Sequence, residues 1–343
     1  MGDGPAPAPR EHGWTGVLLA LAAFLLLPLA FRSVLPVAET GLLLLPTLAA
    51  CFLVGWWGGG RRWLAALWAA LTAWEFLRAD SPADSSYRDI TRGWALMVAG
   101  ALGVVSFVAP RRPAFPRAAA AVGLAVLLSL MVLLVAGESP SEIRGVFSEE
   151  FARRNAEYAR AVQTQFRVPL WQDAAARWPT MREVYDQSVV RAYGASQVAA
   201  GLYPALLALE SLAATVLAWS LYHRLSRARI GPPLRPLREF RFSDQLVWGF
   251  VAGLVVVLMP QLEALRPVGA NLVLFFGVLY AMRGFGVMTW TIARLPRGGP
   301  IVGALAAAGL LLLILAPVLL ALGLGLGLMD TWVDWRRRAR PTT

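Results

Sequence analysis

The sequence predicts an all-α fold, a polytopic transmembrane helical bundle of about nine spans (eight to ten) with an extramembrane helical hairpin. Three observations carry this expectation. The 343 residues are 57% hydrophobic and 15% charged, with mean hydropathy +0.57, whereas an ordinary soluble domain is about 25% charged. Apolar runs close to the roughly 20 helical residues that cross a hydrocarbon core recur along the whole chain. Between them, arginines gather in short connections, which is the pattern of an orientation signal.

Taken in order, spans are expected at 14–31, 36–57, 63–77, 93–109, 118–136, 196–221, 246–262, 269–293 and 301–322. The third, WLAALWAALTAWEFL, is short, and its tryptophans suit the membrane interface. Arg10 precedes the first run without a clear A-x-A cleavage site, so that run is read as a retained span. With the N terminus inside, fourteen arginines fall on the inner side and five in the outer short connections. This bias orients the chain with a cytoplasmic N terminus. Nine crossings leave Arg336, Arg337, Arg338 and Arg340 outside, so the run from 301 to 335 is read as one span followed by a glycine-hinged helix at the interface. The glycines at 323, 325 and 327 alternate, which points to a hinge or a thin packing surface more than to a GxxxG motif. The chain thus reads as five spans over 1–137, a hairpin over 138–195 and four spans with a basic tail over 196–343.

The hairpin has its own signals. Ser139, Pro140 and Glu142 form a helix start with a capping box. Ile143, Phe147, Phe151, Tyr158, Val162 and Phe166 recur at helical spacing opposite Glu149, Arg153, Arg160 and Arg167. After Val168 and Pro169 a second stretch carries Trp171, Trp178, Met181, Val184 and Tyr185, so two helices packing their apolar faces account for both. A packed cap over the bundle is favoured over a docking surface. The inner loop 223–244, HRLSRARIGPPLRPLREFRFSD, reads as arginines apposed to anionic lipid; either segment, 138–195 or 223–244, also offers a protein partner a surface.

Several classes of function drop out. All 32 basic residues are arginine, a compositional habit that says nothing about arginine chemistry, and their clustering between spans argues against nucleic acid. Cys51 is the only cysteine, and His12 and His223 are far apart, so no disulfide, metal site or cofactor motif is indicated. GWWGGGRR at 55–62 lacks the lysine of a phosphate loop and reads as a turn, and the carboxylates of DSPADSSYRD have no partner base. No nucleophile stands with a base at a recognisable spacing, so no catalysis is expected.

The pointers that remain are charges at bilayer depth, which are costly and therefore informative. Glu210 and Arg283 each fall about midway along their span, at matching depth, where they would neutralise each other; Tyr203 and Asn271 lie nearer the outer end of the same two spans. Pro204 and Pro317 are read as helix interruptions.

From about residue 200 to 338 the order of features resembles the YybS-like family of bacterial multi-pass membrane proteins, a domain of unknown function. The resemblance rests on YPALLALESLAATVL, LREFRFSDQLVWGF, NLVLFFGVLYAMRGFGV and the ending GLMDTWVDWRRR, in which Gly327, Asp330, Asp334 and Arg336 hold the characteristic places. Arg283 departs from the glutamine that the family pattern implies. The family is distantly similar to the substrate-binding subunits of energy-coupling-factor transporters and to MreD, which implies either a binding or transport component or an envelope scaffold. The expectation is a non-enzymatic component that binds a small or lipid-like molecule near Glu210, Arg283, Asn271 and Tyr203, with an assembly scaffold as the alternative and membrane lipid as the surrounding partner.

Overall fold

The computed structural model describes residues 13–78, 85–292, 318–333 and 335. Twelve α-helices occur among the described residues: α1 Thr15–Phe31, α2 Thr40–Trp57, α3 Arg62–Leu77, α4 Ser85–Val108, α5 Ala114–Ala136, α6 Pro140–Gln165, α7 Pro169–Arg177, α8 Pro179–Gly201, α9 Tyr203–Leu225, α10 Val247–Leu258, α11 Arg266–Ile292 and α12 Val318–Val333. Five of these stretches are long and apolar enough to cross a membrane, and three more, at α1, α10 and α12, are apolar but shorter. The chain divides into two compact units, Met1–Leu234 and Arg235–Thr343, and the division falls inside the arginine-rich loop.

In the first unit α9 is central, because 78% of its span is buried against 22% of α5. Small residues on α9, Ala205, Ala208, Ala214 and Ala218, let neighbouring helices come close. The outward side is apolar in the manner of a lipid-facing surface: Leu29 on α1 is 81% exposed and Val135 on α5 is 89% exposed, a density of bare hydrocarbon that water would not tolerate. Short α3 packs on α2 and returns the chain, so that its end at Glu75 lies beside Gly41 at the start of α2. Pro46 sits inside α2, where a proline leaves a carbonyl one turn back without its amide. Thr47 Oγ1 turns back to the Leu43 and Leu44 carbonyls at 2.8 and 2.9 Å.

The hairpin forms as the capping signal predicts, with Ser139 N donating to Glu142 Oε2 at 2.9 Å. Phe147, Phe151 and Val162 are buried, so the stripe on α6 is a packing face. α6 pairs with α8, through Asn155 Nδ2 to Ser196 Oγ at 2.7 Å and Phe166 edge-on to Tyr185. The second stretch differs from expectation: it breaks at Trp178, and Trp178 and Val184 remain exposed. The expected sixth span is likewise two helices, meeting at Leu202, and Pro204 opens α9 in its first turn instead of interrupting a helix. A proline there costs nothing, since first-turn amides lack intrahelical partners in any case.

In the second unit α10 and α11 form an antiparallel pair brought close by Gly249, Gly253 and Gly269; a Cβ at Gly253 would meet the Leu272 side chain at 2.9 Å. α12 packs on α11. Most of the expected ninth span, together with Pro317, Asp334 and Arg336, lies outside the described residues. The part that is described corrects the hinge expectation, because Gly323 and Gly327 lie within one continuous helix. They are four apart, hence on one face, with Gly323 against Gly284 and the Ala281 carbonyl, and Gly327 against the Tyr280 carbonyl. Gly325, on the other face, has open space. The pair acts as a small-xxx-small contact surface.

Candidate functional site

The intramembrane charges are the natural place to look, and each unit organises its own. In the first, Glu210 is buried in the second turn of α9, and its Oε2 accepts a hydrogen bond from Val37 N at 3.2 Å in the α1–α2 connection. Its Oε1 is buried without a hydrogen-bond partner among the described residues. Tyr203, two turns back at the start of the same helix, stacks its ring on Phe147 at 4.7 Å. That ring belongs to α6, so Tyr203 is a packing contact between hairpin and bundle.

Beside Phe147 lies a polar network that the sequence reading missed. Arg154 is only 3% exposed. Its Nε donates to Glu150 Oε1 at 2.7 Å, its Nη1 to the Leu35 and Arg32 carbonyls at 2.7 and 3.2 Å, and its Nη2 to Tyr87 Oη at 2.6 Å. Tyr87 in turn donates to the Pro36 carbonyl at 2.6 Å. Residues 32–37 are therefore held from α4, α6 and α9 together. Glu150 also takes a two-pronged contact from Arg153, at 2.6 and 2.8 Å, and Arg153 reaches Glu157. Burial alone would raise the Glu150 carboxyl, but hydrogen bonds from Arg153 and the charge of Arg154 outweigh it and hold the group below its ordinary value. A signal was available: Arg154 falls within the helical stripe of Phe147, Phe151 and Tyr158, where an arginine needs buried partners.

At the opposite end of the unit, Arg117 in the first turn of α5 is buried over the Trp219 ring at 3.9 Å. It donates to the Pro110 and Arg112 carbonyls at 2.7 and 2.8 Å. Gly231, at φ 71°, approaches so closely that a Cβ would sit 2.5 Å from Arg117 Nη2. The first half of the arginine-rich loop is thereby folded back on the bundle, with Trp219 Nε1 donating to the Pro232 carbonyl at 3.1 Å and Tyr222 Oη to the Ala228 carbonyl at 2.9 Å.

In the second unit Arg283 is buried with carboxylates of its own. Nε donates to Asp330 Oδ2 at 2.9 Å, Nη2 to the Asp330 carbonyl at 3.1 Å and Nη1 to Asp244 Oδ1 at 2.6 Å, while the guanidinium stands 5.5 Å from the Phe242 ring centre. These partners replace the Glu210 partnership that matching depths predict, and they place Asp330 in a buried ion pair. Asn271 donates back to the Pro267 carbonyl at 2.8 Å. It stands twelve residues, about 18 Å, along α11 from Arg283. The four candidate residues are thus distributed over two units and several local roles, and Arg283 is engaged with protein on all three nitrogens.

An unfilled space lies elsewhere. α2, α3 and α4 border an open crevice of about 580 Å³ with Ala49, Ala69, Ala73, Phe76, Gly100 and Gly103 on its walls. Its only hydroxyl, on Thr72, is bonded back to the Trp68 carbonyl at 2.8 Å. The crevice opens outward past the exposed side chains of Leu53 and Leu96. Nothing in its wall asks for a polar ligand.

Residues 187–331 match the model of a family described as a predicted membrane protein (DUF2232). The matched stretch contains Asp244, Arg283 and Asp330, and it supports a membrane protein of unknown function. Neither the curated proteins nor the solved structures hold a match to the chain.

Proposed function

We propose that this chain is a non-enzymatic membrane component that binds a lipid-like molecule, with the apolar part of that molecule seated in the α2–α3–α4 crevice. The observation that carries the reading is the crevice itself: it falls within the usual 300–1,000 Å³ of a small-molecule site, is apolar throughout and opens on the outside of the unit. The buried charges of the first unit hold its own helices and loops in place, and binding requires nothing chemical of them. The N terminus is read as cytoplasmic from the arginine distribution.

The test uses the full chain in nanodiscs containing a phospholipid with a photoreactive group on its acyl chain. Labelled peptides should map to α2, α3 and α4, and Gly100→Phe or Gly103→Phe should suppress that labelling. A Cβ at either glycine meets open space, so the new side chain can project into the crevice. Labelling spread evenly over α1 and α5, or unaltered by the fillings, would overturn the reading.

A second reading, a scaffold for an envelope partner, draws on one observation. Leu170, Trp178, Val184 and Val190 are exposed on helices that extend from the spans. Deleting 169–178 should then lose a co-purifying protein while leaving acyl labelling intact.

A further inference from the structure

The crevice is not closed at its lower end. Leu53 and Val54 line both it and a second apolar groove of about 370 Å³ that continues past Trp56, Trp57 and Phe107. From Leu96 to Phe107 the path follows α4 for eleven residues, about 16 Å, roughly the reach of a dozen methylenes. Trp57 and Phe107, with ring centres 6.3 Å apart, tie the end of α2 to the end of α4. Both helices then give way to short turns, GGGRR after α2 and APRRP after α4.

Four arginines stand in those two turns. Arg61, Arg62, Arg111 and Arg112 are all exposed, and the Arg62 guanidinium lies 5.9 Å from the Trp56 ring centre at the groove's edge. No aspartate or glutamate occurs between Leu53 and Trp68 or between Gly103 and Arg117. The outer end is different: Glu75 and Asp89 accompany Arg78, Arg88 and Arg92 there. An orientation signal needs arginines on one side of the membrane; it does not need them at the mouth of an apolar channel, beside interfacial tryptophans and without a single acid. The Gly59 turn, at φ 93°, keeps Arg61 and Arg62 close under α2.

From this continuity of apolar wall and uncompensated positive charge we infer that the occupant is a phospholipid with a net anionic headgroup, its acyl chain lying along α2 and α4 and its phosphate held by Arg61, Arg62, Arg111 and Arg112. The inference rests on the proposed lipid-binding reading and specifies its ligand class. Arginines near an anionic lipid surface each contribute about fivefold in affinity, and the guanidinium fork suits phosphate oxygens.

Native mass spectrometry of the full chain with added phosphatidylglycerol or phosphatidylcholine of identical chains separates the ideas. Phosphatidylglycerol should bind at least about tenfold more tightly than phosphatidylcholine. The Arg61→Gln/Arg62→Gln and Arg111→Gln/Arg112→Gln pairs should each reduce that preference about tenfold or more, and the corresponding lysine pairs should restore much of it. Gly100→Phe should lower binding of both lipids. Equal binding of the two lipids, or a preference untouched by either glutamine pair, would overturn the anionic assignment while acyl labelling of the crevice still stood. Absence of that labelling would remove the lipid-binding reading as well.

Discussion

Two buried arginines, one in each unit, do comparable work by different means. Arg154 takes one carboxylate from its own helix, Glu150 at i−4, and spends its remaining donors on a tyrosine and on backbone carbonyls of a distant loop. Arg283 takes both carboxylates from elsewhere, 39 and 47 residues away in sequence. The first charge is neutralised as soon as its helix forms, and its hydrogen bonds then fasten a loop. The second takes one carboxylate from Asp244, just ahead of α10, and its fully buried one from Asp330, so its complete pairing requires α12 to dock on α11. The same residue type therefore acts as a loop clamp in one unit and as a helix lock in the other.

This contrast can be broken at several points, starting with the lock. Asp330→Ala leaves the buried guanidinium with Asp244 as its one carboxylate and should cost about 3 kcal/mol, seen as a large drop in the melting midpoint of the purified chain. Arg283→Leu combined with Asp330→Leu should cost clearly less than Asp330→Ala alone, because no buried charge is left unpaired and the exposed Asp244 can turn to water. A double variant as unstable as the single would show that the lock is not electrostatic. Gly327→Leu should separate α12 from α11 at a cost of about 1–3 kcal/mol, whereas Gly325→Ala should stay within about 0.5 kcal/mol; equal effects would sink the one-face assignment. The clamp should lose less than the lock: Arg154→Met leaves Glu150 still paired with Arg153 and Tyr87 still bonded to Pro36, and about 2 kcal/mol should follow from the stranded Leu35 carbonyl.

Acid sharpens the same comparison. The Glu150 carboxyl is held below its ordinary 4.5, so its contribution is present above that value and is lost as the pH falls through and below it. Melts from pH 7 down to about pH 4 should show a fall that Glu150→Gln flattens. The smallest effect belongs to the exposed Glu263 and Arg266 pair, 3.5 Å apart. Removing it should change stability by about 0–1 kcal/mol.

Much of the helical order could be read from residues alone. The all-helical character, the capping box at Ser139 and the glycine turn after Trp57 are local signals, written within a few residues of where they act, and they held. What was not legible depended on rotation about a helix axis or on partners far along the chain. Matching depth predicts that Glu210 and Arg283 meet, but depth fixes only one coordinate of a side chain. Their partners, Val37 for one and Asp330 and Asp244 for the other, are set by which face each helix presents. Gly323 and Gly327 illustrate the same point at short range: counted in twos they suggest a hinge, counted in fours they make a contact. The crevice is a space between three helices, and no single stretch of residues announces a space.

The loop at residues 32–37 carries a last consequence, which concerns time. Its Leu35 carbonyl waits for Arg154, 119 residues later, and its Val37 amide waits for Glu210, 173 residues later. At about 5–20 residues per second, synthesis of that interval takes roughly 9–35 s. Through it the turn between the first two helices is fastened in stages, by Tyr87, then Arg154 and last Glu210. The N-terminal pair of helices is therefore inserted early and fixed late, and the ninth helix to be made is the one that completes the first turn.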